Sequence, residues 1–191
     1  MSEYVANDRD YFIGVVVSRL DNYNKEFGKA HIQKLMHLIK CIDYDRFDIP
    51  FEFDMYNYGG YSTELSKRLD KLEIKRIIEN ENGYNLCRID EDDLKSYGFD
   101  DHICLKSAID SVIEILPSIN FEALELYSTI CYVGSGLNKS LEKVIYKSLD
   151  YLRNPYTYDK VRKAVATLSS YDFFRLGKEG TEFECNVIGV K

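Results

Sequence analysis

The chain has 191 residues, of which 45% are hydrophobic and 30% charged, and its formal net charge is -7. This length and polarity suit one solid core, or two small cores that share an interface, and the acidic balance argues against indiscriminate phosphate binding. No apolar run approaches the roughly 20 residues of a membrane helix, and the start "MSEYVANDRD" lacks the features of a secretory signal, so we expect a cytoplasmic protein.

The first half begins with two helical patterns. "DRDYFIGVVVSRLDNYNKEFG" and "KAHIQKLMHLIKCIDY" both repeat apolar residues at helical spacing. "FEFDMYNY" then alternates with a period of two, which predicts a strand with one buried face. Gly59 and Gly60 predict a turn, and Ser62 or Thr63 predicts the cap of a third helix. The inner stripe of that helix is predicted to be Leu65, Leu69 and Leu72.

A hairpin is predicted after the third helix. Two β-prone runs flank the pair Asn82-Gly83, a sequence typical of a type I′ turn because both central residues of that turn need positive φ. Two helices, a strand, a helix and a hairpin indicate a winged-helix-like module over residues 1–95, with the hairpin as its wing. The strand lies later in the chain than in the usual winged-helix order.

The second half, residues 96–191, is predicted to be helical with a short C-terminal strand or arm. Four helical patterns are separated by Pro117, by Gly134 to Gly136 and by Pro155. The loop "GSGLNKS" lacks the second glycine of a phosphate-binding loop and follows a helix, so we interpret it as a turn with Asn138 as the helix cap. The predicted fold class is α+β.

Two stretches resemble a known family. "AHIQKLMHLIKCID" and "FEFDMYNYGGYSTELSKRLDKLE" resemble the signature of the YwgA-like small prokaryotic proteins, which are distantly similar to the SocA-like (Panacea) antitoxin domain. "ALELYSTICYV" and "YLRNPYTYDKVRKAVATL" resemble later motifs of the same group, so the likeness covers roughly residues 29 to 170. The matching motif positions are Gln33, Lys34, Leu35, Tyr58, Gly59, Tyr61 and Ser62.

The resemblance has departures and a functional implication. Gly60 stands where the family usually has proline, and Arg153 where it usually has lysine. Glycine does not stiffen the backbone as proline does, which puts the rigidity of this segment in question. The family implies a non-enzymatic winged-helix-like adaptor or antitoxin-type protein, often encoded near mobile or defence genes.

The third helix carries the candidate partner-binding residues. Its segment 63–76 holds five basic and three acidic residues, and we expect the basic ones to project outward together: Lys67, Arg68, Lys71, Lys75 and Arg76. In a winged helix this helix would enter the DNA major groove. A solvated face balanced by Glu64, Asp70 and Glu73 is the alternative interpretation.

The tyrosine-rich segment and the second helix are interpreted mainly as structure. We expect Tyr58 and Tyr61 to pack over the second helix and Tyr56 to be the better interface candidate. Gln33 and Lys34 are expected to hydrogen-bond the tyrosine-glycine segment, and a small-molecule site is the alternative.

No catalytic or metal-binding pattern is recognised. His31 and His37 are six residues apart on one helix, without the spacing of a metal motif, so no metal and no cofactor are expected. The five cysteines are interpreted as reduced core residues: Cys41, Cys87, Cys104, Cys131 and Cys185.

Three functional classes follow from these observations. The leading hypothesis is an antitoxin-like or adaptor protein that binds a protein partner. The second is a winged-helix DNA-binding regulator, acting as a monomer or as a homodimer. The third is a nucleotide-processing or hydrolytic enzyme, for which the sequence offers no catalytic residues to name.

Overall fold

A computed structural model describes ten stretches of the chain: residues 8–21, 27–42, 49–56, 59–74, 80–81, 85–86, 103–116, 120–135, 140–152 and 156–170. Their elements, in chain order, are α1 (Asp8–Asp21), α2 (Lys29–Ile42), β1 (Asp54–Tyr56), β2 (Gly59–Tyr61), α3 (Thr63–Ile74), β3 (Asn80–Glu81), β4 (Asn85–Leu86), α4 (Ile103–Ile115), α5 (Phe121–Ser135), α6 (Leu141–Tyr151) and α7 (Tyr158–Ser170). This mostly helical fold with small antiparallel hairpins confirms the predicted α+β class.

The predicted strand is shorter than its sequence pattern. Phe51 is fully buried and Phe53 and Met55 pack partly against the core, while Glu52 and Tyr56 are exposed, so the two-residue alternation is real. Among the described residues of this stretch, 51–56, the strand pairs are made by Asp54–Tyr56. The predicted turn at the glycines is wrong, because Gly59 and Gly60 lie in β2 and pair with Tyr56 and Met55. Residues 57–58 lie outside the described residues.

The second hairpin follows α3. Asn80 pairs with Leu86 and Glu81 with Asn85, which leaves three residues between the strands. The turn predicted at Asn82 and Gly83 lies outside the described residues. Among the described residues, β1 pairs with β2 and β3 with β4, in two separate sheets.

Helix α2 lies at the centre of the core. Its predicted apolar stripe is confirmed, since five of its residues are at most 1% exposed: Ile32, Leu35, Met36, Leu38 and Ile39. Helix α2 packs most extensively against α5 and also contacts α1, α3, α4 and β2. Helix α5 in turn packs against α6 and α7. Helices from both predicted halves thus share one hydrophobic core.

The ends of two helices show how capping works here. Ser62 precedes α3 and accepts a hydrogen bond from the Leu65 N–H at 3.3 Å, as the sequence predicts for a cap. Before α6, Ser140 accepts from the Lys143 N–H, so Ser140 is the cap and the assignment to Asn138 is wrong. The proposed boundary near residue 95 and the C-terminal strand or arm lie outside the described residues. None of the described helices is long and apolar enough to span a membrane.

Candidate functional site

Gln33 fixes the start of α3 to α2. Its side-chain nitrogen donates to the Ser62 carbonyl oxygen, and its side-chain oxygen accepts from the Ser62 N–H, both at 2.9 Å. Gln33 is 3% exposed, so these bonds are shielded from water. The hydrogen bond that the sequence predicts between α2 and the glycine-containing segment is present. Because Ser62 caps α3, Gln33 also sets where α3 begins.

We expect Gln33→Met to lower the free energy of unfolding. Methionine has a similar shape but makes neither bond, and the Ser62 carbonyl still accepts from the Ser66 N–H. The unpaired group would be the buried Ser62 N–H, and an orphaned buried donor costs about 1–3 kcal/mol. Urea denaturation and hydrogen exchange at the Ser62 amide measure the effect. Unchanged stability together with unchanged exchange would contradict this role.

Strand β2 is enclosed between α2 and α5. The Gly60 N–H donates to Ser128 Oγ at 3.2 Å, and the Gly60 carbonyl accepts from Lys34 Nζ at 3.4 Å. Ser128 Oγ is also hydrogen-bonded to His37 Nδ1 at 2.8 Å. Both polar groups of the Gly60 backbone are therefore engaged by buried side chains.

The two glycines are required by space and backbone geometry. A Cβ atom at Gly60 would lie 2.5 Å from two ring atoms of His37, closer than any real contact. Gly59 has φ +91°, a conformation that other residues rarely adopt. The proline usual in the resembling family would lack the Gly60 N–H and meet the His37 ring. Hydrogen bonds from α2 and α5 thus fix this segment.

Lys34 brings a buried amine to the same region. Lys34 is 4% exposed. Burial lowers the pKa of Lys34 to about 8, although the charge of Glu125 acts in the opposite direction. Glu125 accepts a hydrogen bond from the Tyr156 hydroxyl at 2.7 Å. Burial, followed by the interaction with Glu125, raises the pKa of Tyr156. Polar interactions thus extend from β2 through α2 and α5 to Tyr156, two residues before the start of α7.

This buried set acts as a support for β2 and α3. Gln33, Lys34 and Ser128 each form a hydrogen bond to a distant part of the chain, which is the role that the sequence interpretation preferred over a small-molecule site. Sequence reasoning missed His37 and Ser128. The available signal was a polar residue within each apolar helical stripe, since buried polar groups require partners.

The outer face of α3 is the surface that this support presents. We define it as the exposed residues Thr63, Lys67, Asp70, Lys71 and Ile74. Ile74 is 83% exposed, an unusual position for an isoleucine. Tyr56 on β1 is 62% exposed and packs on the Tyr61 ring, with 5.4 Å between ring centroids. Tyr58 lies outside the described residues.

The predicted row of five outward basic residues is wrong for Arg68. Its Nη1 lies 3.5 Å from both carboxylate oxygens of Asp10, whose side chain is 3% exposed. Arg68 therefore ties α3 to α1, while Lys67 and Lys71 are exposed as predicted. Lys75 and Arg76 lie outside the described residues. On the same helix, Asp70 and Glu73 form ion pairs with Lys29.

Comparisons add no family assignment to this geometry. A scan against protein-family models gave no match, and a search of curated proteins gave none either. Within the described stretches, no group of three or more His, Cys, Asp or Glu side chains is arranged to hold a metal ion.

Proposed function

We propose that the chain is a non-catalytic macromolecule-binding protein of the prokaryotic cytoplasm, an antitoxin-like or adaptor subunit that acts through a protein partner. The contact surface in this proposal is the outer face of α3 together with Tyr56. The resemblance to the YwgA-like and SocA-like proteins suggests a mobile-element or defence context.

The observation that carries the proposal is the contrast between a fixed support and an exposed surface. Gln33 and Arg68 hold α3 against α2 and α1. A partner would therefore bind a helix that is already ordered, without a large loss of conformational entropy on binding. Two large side chains of the proposed surface, Tyr56 and Ile74, remain largely exposed. Aromatic and aliphatic groups of this kind supply the apolar core of protein interfaces.

The charges favour a protein partner over DNA. With Arg68 paired to Asp10, the basic side chains on the outer face of α3 are Lys67 and Lys71, and Asp70 lies between them. Phosphate recognition draws on several unopposed cations, and its affinity rises with their number. A surface that combines two lysines, an aspartate, an isoleucine and a tyrosine better matches the mixed chemistry of a protein interface.

We expect the triple variant Tyr56→Ala/Lys67→Glu/Lys71→Glu to lose its protein partner. Capture of tagged protein from its native host, followed by mass spectrometry, measures the loss, and we expect recovery of the partner to fall about tenfold or more because central aromatic contacts dominate binding energy.

The chain offers a closely matched control on α6. Lys143 and Lys147 are exposed at the same i, i+4 spacing, and the exposed Tyr146 packs on Tyr158 with 5.5 Å between ring centroids. The variant Tyr146→Ala/Lys143→Glu/Lys147→Glu should retain the partner. Equal loss in both variants, or in neither, would contradict the proposed surface.

A DNA-binding regulator of winged-helix type is the second candidate, acting alone or as a homodimer. The observation that favours it is the β3–β4 hairpin directly after α3, the place of a wing. Under this alternative, purified protein binds duplex DNA with an affinity that falls steeply with salt, and the Lys67→Glu/Lys71→Glu variant loses it. Fluorescence anisotropy over a salt series decides between a DNA reader and a protein that ignores DNA.

A further inference from the structure

A hydrogen-bonded row of side chains crosses from α5 to α2 at the edge of the buried support. His37 contacts Ser128 Oγ through Nδ1 and Cys41 Sγ through Nε2, the latter at 3.4 Å. The Cys41 thiol is also hydrogen-bonded to the thiol of Cys131 on α5. Cys41 is partly exposed and Cys131 is buried, and both are free thiols. Support of β2 uses His37 and Ser128 and leaves the two thiols without a role.

The surroundings of the two thiols make them chemically unequal. The pKa of Cys41 lies well below its ordinary value, first because of the hydrogen bond with Cys131 and then because of the nearby His37 and Lys40, which together outweigh burial. The same hydrogen bond, and then burial, raise the pKa of Cys131. Of the two thiols, Cys41 is therefore the one that loses its proton more readily, and the resulting thiolate is the nucleophilic form.

We propose that Cys41 and Cys131 form a peroxide-reactive dithiol site, in which His37 takes the Cys41 proton and Cys131 resolves the oxidised sulfur into a disulfide between α2 and α5. The proposal is independent of the proposed partner surface. A partly exposed attacking thiol beside a buried resolving thiol is the arrangement found in redox-sensitive cysteine sites.

The reaction balances with hydrogen peroxide as the oxidant. The Cys41 thiolate attacks one peroxide oxygen, the O–O bond breaks, and the released hydroxide takes the proton held on His37 Nε2 to give water. Cys41 is then a sulfenic acid. The Cys131 sulfur attacks the Cys41 sulfur, the S–O bond breaks, and the leaving hydroxide takes the Cys131 proton as a second water. Two thiols lose two electrons, and one peroxide becomes two waters.

The test uses the full chain with Cys87, Cys104 and Cys185 replaced by serine, so that only the pair remains. After reduction, the protein is treated with hydrogen peroxide and analysed by intact mass and peptide mapping. We expect a mass decrease of two hydrogens, a Cys41–Cys131 linked peptide, and a reaction about tenfold faster than that of glutathione at the same pH. Reaction no faster than that of glutathione, or the absence of the linked peptide, would overturn the proposal.

Two further variants separate the roles. Cys131→Ser should stop at the sulfenic acid of Cys41, trapped by dimedone, and His37→Gln should slow oxidation of Cys41. Because His37 also supports β2, a pH profile of Cys41 alkylation in the protein with His37 present provides the same test without perturbing the fold. The groups that act on Cys41 in that profile are His37 and Lys40 on α2 and Cys131 on α5. A midpoint at or above that of glutathione would contradict the activated thiol.

Discussion

Gly60→Ala is expected to destabilise the protein more than any other single methyl group added to β2. The new Cβ would lie 2.5 Å from the His37 ring, and that ring is hydrogen-bonded to Ser128 on one side and Cys41 on the other. We expect a loss of about 2–4 kcal/mol, since overpacking a buried site costs about 1–3 kcal/mol and a displaced buried hydrogen bond adds about 1 kcal/mol. Urea denaturation measures it.

A double-mutant cycle identifies the cause of that loss. His37→Ala removes the ring that the new methyl group meets, so Gly60→Ala should cost less in the His37→Ala background than alone. We expect a coupling energy of about 1 kcal/mol or more, above the few tenths expected of independent sites. Additive effects would mean that the His37 ring does not enclose Gly60. Gly60→Pro should be worse than alanine, because it also removes the N–H that Ser128 accepts.

The second large effect is a rise in stability with pH that depends on Lys34. The pKa of Lys34 is about 8 in the folded protein against 10.5 for an ordinary lysine, so between these values the unfolded chain binds more protons. The free energy of unfolding should therefore rise from about pH 8 to about pH 10.5. The difference corresponds to on the order of 3 kcal/mol, a cost that is fully present below pH 8 and absent above pH 10.5.

Lys34→Met should remove this rise. Methionine keeps much of the alkyl chain and does not titrate, so the variant's free energy of unfolding should lack the Lys34 contribution across that range. Lys67→Met, which replaces an exposed lysine, is the matched control and should keep the wild-type profile. The measurement is urea denaturation at several pH values between 7.5 and 10.5. An identical rise in Lys34→Met and wild type would show that another group causes it.

The predictions that rested on local periodicity, namely the buried stripe of α3 and the alternation around β1, were confirmed. Leu65, Leu69 and Leu72 are buried as predicted, because residues spaced three or four apart on a helix face the same side whatever they pack against. The predicted alternation around β1 was also confirmed, because successive side chains of a strand point to opposite faces. Ser62 was a correct cap, whereas Asn138 and Ser140 are both good capping residues and sequence alone could not choose between them.

Contacts between distant residues explain what the sequence did not predict. A Gly-Gly pair is typical of a turn, and its placement in β2 depends on Ser128, which lies 68 residues from Gly60 along the chain. Arg68 turned inward because Asp10, 58 residues away, is buried beside it. The same holds for the candidate surface: its lysines were predicted from helix spacing, but their separation from Arg68 required the tertiary structure.

The measurement that tests the central claim most directly is capture of the tagged protein from its native host, with and without nuclease, at low and raised salt. Mass spectrometry then identifies whatever remains bound. Our account predicts a stoichiometric protein partner that survives both nuclease and salt, because its interface includes the apolar groups of Tyr56 and Ile74. Recovery of DNA alone, released by raised salt, would contradict the account and establish the chain as a DNA reader.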